Sequence, residues 1–281
     1  MTPSRRSSRR DLATLLRRVE AMNIHTTERH WRLIPIRLAE RARPRVLQVG
    51  DGLLTLLTGS DSLRLNRVIG LGHRGRAEEA MIDEITGRCR EARIKRFSVM
   101  VGPGPQSGEI EEWLSRRGFE ARLGHALLLR DLSQPIARPN TALRVARAGG
   151  RQRETVAQVL AESFPVPESR REWSLAAAGA RHNQSFLAYA GRGAVAVAIL
   201  CVLDGLAWLG GASTRTRWRR RGAQSALIAA RLRRASRLGC RWAWSETAAP
   251  GPGRPAGSRR NLMRMGFEPV CLKPLYVCQV R

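Results

Sequence analysis

Leu209-Gly210-Gly211-Ala212-Ser213-Thr214-Arg215-Thr216-Arg217-Trp218-Arg219-Arg220-Arg221-Gly222-Ala223-Gln224-Ser225-Ala226-Leu227 is the stretch on which the reading of this chain turns. A strand-like run over Leu206–Ser213 enters a basic turn, and the turn opens a helix predicted over Gly222–Leu238. The first turn of a helix holds N–H groups without intrahelical partners and carries a partial positive charge, so it attracts phosphate. Gly222 has no Cβ to obstruct a ligand, and Ala223 keeps that approach open. Arg219, Arg220 and Arg221 add charge-assisted hydrogen bonds suited to pyrophosphate oxygens.

The charge around this turn is one-sided. Between Asp204 and Glu246 there is no acidic residue, while arginine occurs ten times. The net charge of the 281 residues, +27, says less. Of the 50 basic residues only Lys95 and Lys273 are lysine, which reads as the arginine habit of GC-rich coding rather than selection for nucleic acid. Hydrophobic residues at 43% suffice for cores, yet no apolar run reaches the roughly 18–20 residues of a membrane span. The basic start, Met1–Glu20, has no apolar stretch behind it, so no secretory signal and a cytoplasmic location are expected. The five cysteines (Cys89, Cys201, Cys240, Cys271 and Cys278) are scattered, which disfavours a disulfide framework or a metal site.

Outward from the turn, the second half reads as strand Leu143–Ala146, helices Arg153–Ala161 and Arg170–Ala178, and strands Ser185–Ala190, Ala194–Val202 and Leu206–Ser213. After the long helix come strand Arg241–Ser245, a short helix Asn261–Met265, and strands Glu268–Leu272 and Leu275–Val280. The first half shows a helix over Ser8–Ala21, strands at Arg45–Val49, Leu53–Leu57 and Arg67–Leu71, and a helix over Arg76–Ala92. It continues with strand Arg96–Val101, helix Ser107–Arg116, and a strand pair Phe119–Arg122 and His125–Leu129. Residues 131–141, with Pro135 and Pro139, read as a linker between domains 1–130 and 142–281. Both halves end in strand, helix, Gly-Phe, strand, strand, with Gly118-Phe119 and Gly266-Phe267 as helix stops.

Arg219-Arg220-Arg221-Gly222-Ala223-Gln224 resembles the acetyl-coenzyme-A motif of the GNAT acetyltransferase superfamily, Gln/Arg-x-x-Gly-x-Gly/Ala between the fourth strand and third helix. Gln224 departs from its last position. The resemblance covers roughly Leu143–Val280 and implies a mixed α+β, three-layer α/β/α fold: two tandem acyltransferase-like domains, each a mostly antiparallel sheet flanked by helices. The first domain shows no such motif and reads as a degenerate copy. The resemblance further implies that acetyl-CoA lies with its diphosphate at Arg219–Gln224 and Ser225 and its pantetheine arm along Ala212, Ser213 and Thr214. Acetyl transfer to a primary amine of a small molecule or peptide would follow. Many members place a Tyr general acid four residues before the Gly of Gly-Phe, where this chain has Leu262.

A base can be narrowed by elimination. After residue 150 the acids are Glu154, Glu162, Glu168, Glu172, Asp204, Glu246 and Glu268. Only Glu246 stands at the C-terminal end of a central strand, where α/β sheets present ligand crevices. It is read as base, as amine anchor, or as a structural hydrogen-bonding group. Asn261 is read as a pantetheine contact or a helix cap, and the loop Pro250–Pro255 as a lid or an inert connection. Gly70-Leu71-Gly72-His73-Arg74-Gly75 matches G-x-G-x-x-G, but no acid closes the next strand, so a glycine-rich turn is preferred. Two rivals remain: a catalytically silent acyl-CoA sensor, and an arginine-driven nucleic-acid binder. A homodimer is left open.

Overall fold

The computed structural model describes residues 5–163, 173, 180, 182–254 and 256–280. The helix expected over Arg170–Ala178 lies outside the described residues. The chain forms two compact units, one of Met1–Arg32, Ile36–His125 and Cys271–Arg281, the other of Leu33–Pro35 and Ala126–Val270.

In the second unit, strands β7 (Asn183–Ala190) and β8 (Gly193–Leu203) send alternate side chains to opposite faces. Leu187 and Val197 pack with Val156 and Val159 of helix α5 (Arg153–Ser163). Ala188, Ala196, Ala198 and Leu200 pack with Leu227, Ile228 and Leu232 of helix α6 (Ala223–Arg237). Both faces are therefore apolar, which explains the unbroken hydrophobic run of β8 and gives the layers helix, sheet, helix. The sheet order runs β6 (Arg144–Arg147), β7, β8, β9 (Leu206–Thr214), β10 (Trp242–Ala248), then β5 (Glu120–Asp131). Pairs β6/β7, β7/β8 and β8/β9 are antiparallel, and β9/β10 is parallel.

The first unit is built the same way. Its order is β1 (Arg45–Val49), β2 (Gly52–Leu56), β3 (Arg67–Ile69), β4 (Arg96–Met100), β11 (Glu268–Gln279) and β5. Helices α3 (Ala80–Glu91) and α4 (Ser107–Arg116) bury Ile82, Ile85, Ile110 and Leu114 against Leu54, Val68 and Val99. Ile24 of helix α1 (Arg5–Trp31) packs with Leu53, Ile69 and Met100, a separate cluster.

The same helix stop occurs twice. Gly118 and Gly266 have φ of 73° and 81°. Phe119 N–H donates to the Leu114 carbonyl and Phe267 N–H to the Leu262 carbonyl, with each glycine N–H donating three residues back. This is the Schellman arrangement, closing α4 and α7 (Gly257–Arg264) alike.

Two sequence expectations differ. The strand pair expected over residues 119–129 and the two strands expected over 268–280 are each a single long strand, β5 and β11. Gly124 lacks positive φ and is not a turn residue; its missing Cβ leaves room for the Lys273 carbonyl. Pro274, the other apparent breaker, accepts from Val101 N–H through its carbonyl. The boundaries of the two compact units fall inside β5 and β11.

Candidate functional site

Strand β9 changes register part-way. Ile199 pairs with Gly210 and Val197 with Ser213, so β9 carries an extra residue at a bulge. Gly211 takes φ of 52° there, a left-handed conformation that glycine adopts without strain. On the other side of β9, the parallel pairing with β10 stops at Trp244↔Trp208. The Ser245 hydroxyl donates to the Leu209 carbonyl at 2.7 Å just beyond it. Ala212, Ser213 and Thr214 lie on β9 beyond that link, outside the ladder with β10. The Ser213 hydroxyl donates to the Val159 carbonyl at 2.6 Å.

From this end of β9 the chain passes Thr216–Trp218 and turns into α6. No side chain caps the helix start. Arg219, Arg220 and Arg221 are exposed and make no ion pair among the described residues. The Arg221 guanidinium stacks 4.8 Å from the Trp218 ring centroid. Arg220 takes φ of 62° and Gly222 φ of 78°, which makes the turn sharp.

Two sequence readings change at this turn. The space a Gly222 Cβ would fill is taken by the chain itself, with Thr141 Cβ at 2.7 Å and the Asn140 carbonyl at 3.0 Å. Thr141 also donates its hydroxyl to the Arg221 carbonyl at 2.8 Å. Gly222 is thus required by backbone conformation and by the passing segment. Asn261 lies inside α7, so it is no cap. Its amide donates to Gln224 Oε1 at 2.7 Å, while Gln224 Nε2 and the Ser258 hydroxyl lie 2.8 Å apart. Gln224 thereby ties the first turn of α6 to α7.

Beneath the bulge sits a residue that sequence reading passed over. Arg231 of α6 is 2% exposed and has no carboxylate partner among the described residues. Its guanidinium donates to the carbonyls of Leu227 (3.1 Å), Ile199 (2.9 Å) and Gly210 (3.3 Å). Ile199 and Gly210 are the pair at which the register shift begins. Burial alone pushes the guanidinium down to about 9. An unpaired buried charge costs several kcal/mol, and charged hydrogen bonds of about 1.5–3 kcal/mol each offset it. Only the arginine count in this stretch hinted at it.

On β10, Trp242, Trp244 and Glu246 share one face by alternation. The Trp244 and Trp208 rings stand 6.0 Å apart, and Glu246 is half-buried one alternate position past the last paired residue.

Solved structures share this architecture. A GCN5-related N-acetyltransferase from Kribbella flavida superposes with a TM-score of 0.58, over 86% of this chain and 91% of its own, at 16% identity. One from Sphaerobacter thermophilus gives 0.61 over 84% and 82%, also at 16% identity. A tandem GNAT protein from the clavulanic acid biosynthesis pathway gives 0.59 over 83% and 79%, again at 16%. The chain has the tandem GNAT fold. No protein-family model and no curated protein matches the sequence.

Within this GNAT fold, Leu262 at the family's Tyr position is buried in the second unit's core and has no proton to give. The corresponding strand-to-helix loop of the first unit, Gly70–Gly75, is closed by its own protein. The Asp51 carboxylate accepts from the N–H groups of Gly72 and Arg74, both at 2.6 Å. Ala77 N–H donates to Gln106 Oε1 at 2.8 Å. A carboxylate already fills the position an anion would take. No cluster of His, Cys, Asp and Glu that could hold a metal ion forms among the described residues.

Proposed function

We propose that the second unit binds acetyl-CoA at the start of α6 and transfers the acetyl group to a primary amine of a small molecule or peptide, in the cytoplasm. The observation that carries this is the end of the β9/β10 pairing at Trp208, followed by an uncapped, arginine-lined helix start. Arg219, Arg220, Arg221, Ala223 and Ser225 would meet the diphosphate through guanidinium and N–H groups. The pantetheine would lie along Ala212–Thr214, where backbone N–H groups polarise the thioester carbonyl. Glu246 would take a proton from the amine or hold it as a cation. The first unit, whose loop is filled by Asp51, would shape or stabilise rather than bind cofactor.

A second reading, an acyl-CoA sensor without turnover, is favoured by Leu262 and by the Gln224 tether. Calorimetry with coenzyme A on wild type and Arg219→Ala/Arg221→Ala tests binding, with at least a tenfold loss expected in the variant. Thiol release from acetyl-CoA across a panel of amines then separates enzyme from sensor. Binding without release for any amine leaves the sensor; no binding sinks both.

A further inference from the structure

The second unit also contains a groove of about 540 Å³ on the far flank of α6, lined from α6, β6, β7 and the preceding segment. Its lining mixes small and apolar residues with arginines. Ala226 and Ala230 leave room where larger helix residues would fill it, and Val145 and Phe186 line the sheet side. Pro139 and Thr141 form a wall. Its charged groups are all of one sign: Arg147, Arg233, Arg234 and Arg237, with no acid in the lining.

Some arginines of this chain are neutralised. Arg117 is held by Glu79 and Asp83, Arg122 by Glu120, and Arg241 by Asp131. The four groove arginines have no carboxylate partner among the described residues. Arg234 is nonetheless fixed, donating to Gln184 Oε1 at 2.9 Å. Four like charges around one concavity raise its potential and repel one another until an anion enters.

We infer that this groove binds a nucleotide-sized organic phosphate, with its body on the alanine floor and its phosphates among the four guanidinium groups. The volume suits a small molecule and is too small for a duplex. A diphosphate of about −3 charge matches the four arginines, since each phosphate carries roughly −1.5 to −2 when terminal. Guanidinium forks suit phosphate oxygens in pairs. The inference does not depend on the acetyl-transfer reading.

Calorimetric titration with GDP, which is not a fragment of coenzyme A, tests it at physiological salt. Wild type should bind one GDP per chain, at least tenfold tighter than guanosine or pyrophosphate. Arg233→Ala/Arg237→Ala should weaken GDP at least tenfold. Ala230→Leu keeps the charge and suits a helix; it should weaken GDP and leave pyrophosphate unchanged. Arg219→Ala/Arg220→Ala, in the turn before α6, should leave GDP affinity as it is. Absence of GDP binding at millimolar concentration, equal losses in the two arginine pairs, or indifference to Ala230→Leu would each overturn the proposal.

Discussion

At the residue scale, the site rests on side chains whose partners are remote in sequence. Gln224 reads as a departure from a motif; in the fold it is a bridge to Ser258 and Asn261. If a diphosphate at the start of α6 displaces that bridge, two neutral hydrogen bonds of about 1 kcal/mol each are lost on binding, so Gln224→Ala should tighten coenzyme A about thirtyfold. An unchanged or weaker Kd by calorimetry would show that Gln224 helps the ligand instead. Lys273 is one of only two lysines, and nothing adjacent marks it as special. Yet it is 1% exposed and pairs with buried Glu20 at 2.6 Å. That pairing spans more of the chain than any spacing rule can reach.

At the element scale, the ends of β5 and β10 are linked by Asp131 and Arg241. Leu132 N–H donates to the Arg241 carbonyl at 2.9 Å, and the Arg241 guanidinium reaches both Asp131 oxygens. Arg241's hydrogen bond, with the Ser133 N–H adding to it, holds the Asp131 carboxyl down to about 2. A free aspartate titrates near pH 3.9. Between those values the unfolded chain binds more protons than the folded one, so this contribution is present above about pH 4 and is lost as pH falls through about 2. Arg241 is largely exposed, which limits the pair to about 1 kcal/mol or less. Asp131→Asn should therefore lower stability by about that much at pH 7, and the gap from wild type should close towards pH 2. A gap in urea midpoints that persists at pH 2 would mean the carboxylate charge is not the cause.

The long strands belong to this scale too. Alternation and turn residues located every strand of the second unit's β7–β9 meander, because Gly191 and Asp204-Gly205 take the positive φ that tight turns need. The same logic placed strand breaks at Leu123-Gly124 and Lys273-Pro274, where the strands run on. Gly and Pro there answer to a neighbouring strand, a long-range contact that local chemistry cannot announce.

At the scale of the whole molecule, the first unit depends on the last eleven residues of the chain. β11 pairs with β4 from Leu275↔Met100 to Gln279↔Arg96, and Tyr276 enters the first unit's core. Deleting Cys271–Arg281 would expose the edge of β4 and leave Glu20 buried without its lysine. Hydrogen exchange should then show β4 and α3 losing protection while β8 keeps it; retained protection in β4 would refute the dependence.

What the sequence determined by itself is local: the helix and strand periods, the two Gly-Phe stops, and a basic helix start after a strand in the GNAT pattern. Each is written in neighbouring residues, through backbone conformation and side-chain period. The tertiary structure alone decided which unit each of the long strands β5 and β11 completes, that Gly222 yields to Thr141, that Gln224 is tied to α7, and that Arg231 braces the bulge. Those outcomes depend on which distant groups satisfy buried donors, acceptors and charges, and only packing of the folded chain makes that choice.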